Sequence, residues 1–201
     1  GLEHLERGRG AVCVGAHLGN WEWMAPAVAS QGFAVAEVVR PLRQRRLNAF
    51  VDRARRSGNV RTVPRQDAGR AIIGLVREGW IVGLLVDQSP RRNAVPVRFF
   101  CQPTWGTIGP AMAAARTGAP VHPVAMVRER DGGYMLCIGP ALAMAETGDL
   151  RADLVANTQR CQEAVEDLVR AHPEQWLWLH MRWKRRPWLE AEYAARAAGK
   201  E

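Results

Sequence analysis

The segment Val12-Cys13-Val14-Gly15-Ala16-His17-Leu18-Gly19-Asn20-Trp21-Glu22 sets an imidazole and a carboxylate five residues apart, just after an apolar run. Such a pair can act as a general base and the acid that orients it. In a continuous helix, residues five apart lie about 140° around the axis and would not meet. The pair therefore needs His17 in a turn and Glu22 in the first helical turn, which Gly19 and the capping residue Asn20 permit. A helix N-terminus there favours an ionised Glu22 and a neutral His17. His-x4-Glu also arises by chance. Its weight comes from its place at the end of a buried strand, the edge where open α/β sheets hold their chemistry.

Three further segments carry groups suited to a site. Arg40, in Val38-Val39-Arg40-Pro41, ends another apolar run, where an arginine can hold a phosphate or a developing oxyanion or simply face water. Asp87, in Val86-Asp87-Gln88-Ser89, follows the most apolar strand and is suited to binding a hydroxyl, bracing Arg40 or capping its loop. The run Pro173–Trp188 mixes four of the eight tryptophans with cations. That composition suits a membrane–water interface, a stacking platform for single-stranded nucleic acid, or a helix with its tryptophans in the core. His4, His122, His172 and His180 lack partners at ligand spacing and are assigned structural or surface roles. Serine-hydrolase, P-loop, dinucleotide and zincin motifs are missing, and no metal site is expected.

These groups need elements to hold them. Ala11–Gly15, Phe33–Arg40, Val60–Val63 and Ile81–Val86 read as strands. They alternate with helices over Asn20–Ser30, Leu42–Arg56 (basic and amphipathic) and Asp67–Glu78, the last with Asp67 as N-cap. A loop over Asp87–Gly106 contains a short strand near Val97–Phe100, and a helix of small residues follows over Thr107–Thr117. Val121–Arg128 and Tyr134–Ile138 form a hairpin through Asp131-Gly132-Gly133, and a helix runs from about Ala152 to Ala171. The alternation predicts an α/β fold with a mostly parallel central sheet flanked by helices, made mixed by the hairpin. We divide the chain into a domain over residues 1–188 and a tail over 189–201, a helical stretch with little to pack it.

The chain has 201 residues, enough for one domain with a sizeable core, and 47% of them are hydrophobic. No apolar stretch nears the roughly 18 residues that span a bilayer. The four cysteines, Cys13, Cys101, Cys137 and Cys161, form no CxxC pair and read as reduced core residues. A net charge of +8 suits a polyanionic partner, although only two of the 28 basic residues are lysines and such arginine bias also follows genome composition.

Taken together, the blocks resemble one family. His17-x4-Glu22 is similar to the HX4D/E signature of glycerolipid acyltransferases, and the wider pattern resembles the lipid A biosynthesis (lauroyl/myristoyl) acyltransferase branch. The matching blocks are His17–Glu22, Val39–Leu42, Asp87-Gln88, Val97–Phe100, Gly109–Ala111, Arg116–Pro120 and Pro173–Pro187, in the family's order. The resemblance implies a glycerolipid acyltransferase-like fold. It implies transfer of a fatty acyl chain from an acyl-carrier-protein or coenzyme A thioester to a hydroxyl of a lipid A precursor, with no other cofactor. His17 would be the base, Glu22 would fix its tautomer, and Asn20, Arg40 and Asp87 would contact substrate. A dry groove would hold the acyl chain. The implied partners are acyl carrier protein, a phosphorylated glycolipid acceptor and the anionic cytoplasmic face of the inner membrane, and no nucleic acid is expected. The chain departs from the family in beginning without its membrane helix, in the glycine-free loop Ser89–Asn93, and in Cys101, where glycine is usual.

Other readings stay open: an acyltransferase for another glycolipid or amino-lipid, a silent relative, or a non-enzymatic basic module binding membrane or nucleic acid. The histidine–carboxylate pair discriminates, because a pure binder has no need of it.

Overall fold

The computed structural model describes residues 1–39, 42–64 and 68–197, apart from the side chains of Ser57, Arg196 and Ala197. Arg40, Pro41 and Asp67 lie outside the described residues.

In chain order the elements are β1 (Ala11–Gly15), α1 (Trp21–Ser30), β2 (Val35–Val39), α2 (Arg45–Ser57), β3 (Val60–Pro64), α3 (Ala68–Arg77) and β4 (Ile81–Leu85). There follow β5 (Ala94–Phe99), β6 (Gln102–Thr107), α4 (Gly109–Thr117), β7 (Val121–Arg128), β8 (Tyr134–Ile138), α5 (Leu150–Ala171) and α6 (Pro187–Ala197). The main sheet runs β3-β2-β4-β1-β7-β8, parallel throughout except for the antiparallel β7/β8 hairpin. The expected α/β architecture with a mixed, mostly parallel sheet is the one observed.

β1 is buried along its whole length because neighbouring strands pair with both its edges and helices cover both its faces. Its alternation distributes the core: Val12 and Val14 join Leu75, Ala113, Val165 and Val169 on the side of α3, α4 and α5. Ala11 and Cys13 join Met24, Val28 and Ile81 on the side of α1. Asp149 caps α5, accepting from the backbone N–H groups of Arg151 and Ala152.

Three expectations change. The stretch read as loop with one short strand is a separate antiparallel hairpin, β5/β6, closed by Phe100 and Cys101, both at positive φ (51° and 61°). A two-residue turn of this hand suits strand twist but normally selects Asn and Gly, so its sequence hides it. The tryptophan-rich run after α5 is not a helix. Beyond a 3-10 turn at Pro173–Gln175 it crosses the sheet's carboxyl edge as an irregular strap. The described part of the tail has packing contacts: α6 starts at Pro187, across the expected boundary, Leu189 is buried, and Tyr193 meets the Trp105 ring edge-on.

All four cysteines are free, but Cys101 is exposed rather than in the core. Burial pushes the Cys13 and Cys161 thiols up to about 12.

Candidate active site

Register builds the site. Gly15 of β1 pairs with Leu85 of β4, so His17 and Asp87 emerge side by side, each two residues further on. The turn carrying His17 is held from both sides. Gly19 N–H donates to the Gln175 carbonyl, Asn20 N–H to Met126 of β7, and Leu177 N–H to the carbonyl of His17 itself. Gly19 has φ 58°, and any side chain there would run into the Met126 carbonyl oxygen.

Asp87 has no solvent exposure and accepts four hydrogen bonds. His17 supplies two, from its backbone N–H (2.9 Å to Oδ2) and its ring Nδ1 (2.8 Å to Oδ1). Trp176 Nε1 and His180 Nε2 both donate to Oδ2 at 2.9 Å. Burial alone would raise the Asp87 carboxyl. The hydrogen bonds from His17 and His180 outweigh it and, with Trp176, hold the group well below the usual carboxylate range. His180 shows the reverse balance: burial works against its proton, but bonding to Asp87 leaves the ring's pKa above its ordinary value.

The partners of His17 define its tautomer. An ionised carboxylate only accepts, so Nδ1 carries the hydrogen. On the other side Gln88 Nε2 lies 3.3 Å from His17 Nε2, and an amide nitrogen donates, so Nε2 offers a lone pair. The ring thus presents Nδ1 as donor and Nε2 as acceptor, the arrangement a general base needs. Trp21 packs edge-on against the ring at 5.2 Å, and the His17 side chain keeps 18% exposure.

Glu22 does not take the part expected of it. It lies in the first turn of α1 as expected, but its carboxylate receives Arg55 of α2, at 3.0 Å to each oxygen. Arg55 also pairs with Glu37 on β2 at 2.8 Å. The acid on His17 is Asp87, because strand register delivers Asp87 to Nδ1 while the outward side of α1 carries Glu22 to α2. Asn20 precedes α1 without capping it through its side chain. Arg40 lies outside the described residues.

Sequence reasoning missed His180, Trp176 and Arg182. Arg182 is fully buried, bonded to Thr104 Oγ1 (3.0 Å), the Trp105 carbonyl (2.8 Å) and Gln162 Oε1 (2.7 Å), with its guanidinium over Phe99. Burial pushes its pKa down to about 10, while the charge of Asp87 works in the opposite direction. The available signal was the density of Trp, His and Arg between residues 176 and 183 with no helical period.

His17, Asp87 and His180 bring ligand-type atoms within 4.8 Å of one another, and both imidazoles already hydrogen-bond to the Asp87 carboxylate. A groove of about 810 Å³ adjoins the turn at Gly19, lined by Arg128, Glu129, Arg130 and Glu174 as well as Tyr134 and Met135. It is not the dry slot expected for an acyl chain.

Residues 1–185 match the family described as bacterial lipid A biosynthesis acyltransferase. The chain belongs to that family. Among curated relatives it is 28% identical to a phosphatidylinositol mannoside acyltransferase of Mycobacterium tuberculosis over 192 residues, 91% of this chain and 58% of the relative. It is 28% identical to the lipid A biosynthesis palmitoleoyltransferase of Escherichia coli K12 over 194 residues, 93% of this chain and 61% of the relative. The lipid A biosynthesis lauroyltransferase of the same organism is 27% identical over 194 residues, again 93% and 61%. The chain thus spans about 60% of the length of these relatives. Within the family match, the block from Pro173 onward supplies the strap that completes the site.

Proposed function

We propose that this protein is an O-acyltransferase that moves a fatty acyl chain from a thioester donor to a hydroxyl of a lipid A-type glycolipid. The observation that carries the reading is the buried Asp87 carboxylate on His17 Nδ1, which leaves Nε2, faced by the Gln88 amide, as the nitrogen that takes a proton at the sheet's carboxyl edge. His17 Nε2 removes the acceptor hydroxyl's proton as its oxygen attacks the thioester carbonyl. The carbonyl re-forms, the ester C–O bond is made, the C–S bond breaks, and the thiol leaves with the proton that His17 carried. Asp87 stabilises the imidazolium formed in between, and no covalent enzyme intermediate is needed. In this reading Asp87 is a positioning residue and Glu22 a brace that fixes α1 against α2. Asn20 and Arg40 remain proposed substrate contacts.

The donor we propose is acyl carrier protein thioester or its coenzyme A counterpart. The site is proposed to work at the cytoplasmic face of the inner membrane. Among the described residues no helix is long and apolar enough to cross a membrane, so attachment by this part of the chain would be peripheral. α2 supports such attachment: Leu47 and Phe50 are exposed beside the exposed arginines 45, 46, 53 and 56. The same positive surface suits the lipid phosphates and an acidic carrier protein.

A mannoside-lipid acceptor is the second reading, favoured by relatives of that name at the same 28% identity. Incubation with acyl-carrier-protein or coenzyme A thioesters and each lipid class, with products identified by mass, separates the two. Acylation of neither lipid by wild-type protein, or unchanged turnover by His17→Ala, would reject the acyltransferase reading.

A further inference from the structure

Asp87 serves two imidazoles. Its Oδ1 meets His17 Nδ1 at 2.8 Å and its Oδ2 meets His180 Nε2 at 2.9 Å, and the two rings stand edge to face with centroids 5.8 Å apart. We propose that His180 is a positioning residue for His17: through the shared carboxylate it fixes the aim of Asp87, and its own protonation sets how strongly Asp87 supports the proton that His17 takes up.

The geometry makes the coupling unavoidable. A carboxylate can accept from both rings only if His17 Nδ1 and His180 Nε2 each carry hydrogen. His180 is held in place by the strap, whose Trp176 indole bonds to the same Oδ2 and packs against the His180 ring at 5.0 Å. The other nitrogen of His180, Nδ1, is buried with no hydrogen-bond partner, so Asp87 is the group that anchors this ring. The charged groups facing His180 are Asp87 from the loop after β4, His17 from the turn after β1, and the buried Arg182 two residues along the strap.

A proton on His180 therefore places a cation on the carboxylate that must stabilise the His17 imidazolium. Without that proton, His180 still donates a neutral N–H that keeps Oδ1 aimed at His17, and the full charge of Asp87 is available. Two imidazoles on one carboxylate titrate as a coupled pair. The raised pKa of His180 places its titration above its ordinary value.

The kinetic consequence rests on the acyl-transfer reading, but the coupling does not, and the experiment separates them. His180→Gln keeps an N–H donor for Oδ2 and removes the titration. In the full chain, kcat/KM of wild type should rise with pH in two steps, and H180Q should show a single step. In parallel, imidazole NMR should find that His17→Gln moves the titration midpoint of His180 upward by about half a pH unit or more. A purely structural His180 would give H180Q a wild-type profile scaled down without change of shape, which overturns the proposal. An unchanged His180 midpoint in H17Q overturns it as well. If wild-type protein shows no acyl transfer, the NMR arm still decides the coupling.

Discussion

His17 and Asp87 occupy equivalent places on two neighbouring parallel strands, each two residues beyond the Gly15–Leu85 pair, and they meet through two hydrogen bonds. Parallel register alone thus brings an imidazole and a carboxylate together across 70 residues of sequence. The backbone N–H of His17 fixes one carboxylate oxygen while the ring takes the other, so the imidazole plane is set before any substrate arrives.

That relationship ranks the carboxylates. Replacing His17 by Ala should lower kcat by about 10²–10⁴-fold, the usual contribution of a positioned base. Asp87→Asn should approach the same loss, because the amide can present an N–H where an acceptor is needed. Product formation followed by mass spectrometry checks both, with circular dichroism to confirm folding.

Glu22→Gln should be milder. Glu22 is half-exposed, so losing its charge should change stability by no more than about 1 kcal/mol and turnover by less than about tenfold. Arg55→Met should be worse, about 3 kcal/mol, because it strands Glu37, 17% exposed, without its cation. Burial already raises the Glu37 pKa against the pull of Arg55. Urea unfolding of both variants tests the order, and a Glu22→Gln loss equal to that of Asp87→Asn would restore Glu22 as the orienting acid.

Stability should depend on pH through the same cluster. The Asp87 carboxyl is lowered in the folded state, so its contribution is present above the unfolded value near 4 and is lost as pH falls through the lower folded value. The His180 pKa is raised, so its contribution is complete below about 6.5 and is lost as pH rises through the folded value. Both contributions are therefore present together between about pH 4 and 6.5. Urea midpoints from pH 3 to 9 should show this window in wild type, and Asp87→Asn should flatten both of its edges.

Cys101→Gly should stabilise the fold by about 1 kcal/mol. Cys101 sits at φ 61° in the β5/β6 turn, a conformation that costs a side-chain-bearing residue about 1–2 kcal/mol, offset in part by the greater unfolded-state entropy of glycine. An unchanged or lower melting temperature would reject this.

Much of this architecture was legible in the sequence. The runs Ala11–Gly15 and Ile81–Val86 are continuous and apolar because both strands are central, and Asp131-Gly132-Gly133 announces the β7/β8 turn. His17 and Asp87 were each visible as polar groups ending such runs. Their pairing was not, because it depends on β4 lying next to β1, and adjacency in a sheet is a long-range outcome. Local spacing instead drew attention to Glu22, five residues away. The hairpin over 94–107 was hidden by Phe100 and Cys101, which are not turn residues by type. His180 and Arg182 were obscured because an irregular strap has no period to read, and its register is fixed by contacts such as Leu18 with Trp176.

The bonds from Trp176 and His180 to Asp87 cross 89 and 93 residues of sequence. During synthesis, then, Asp87 waits uncovered until the strap residues Trp176 and His180 have been made. A nascent or clipped chain ending before residue 173 would carry His17 and Asp87 yet lack the cover that keeps water from the carboxylate. The four bonds that hold Asp87 are therefore complete only once the strap has docked.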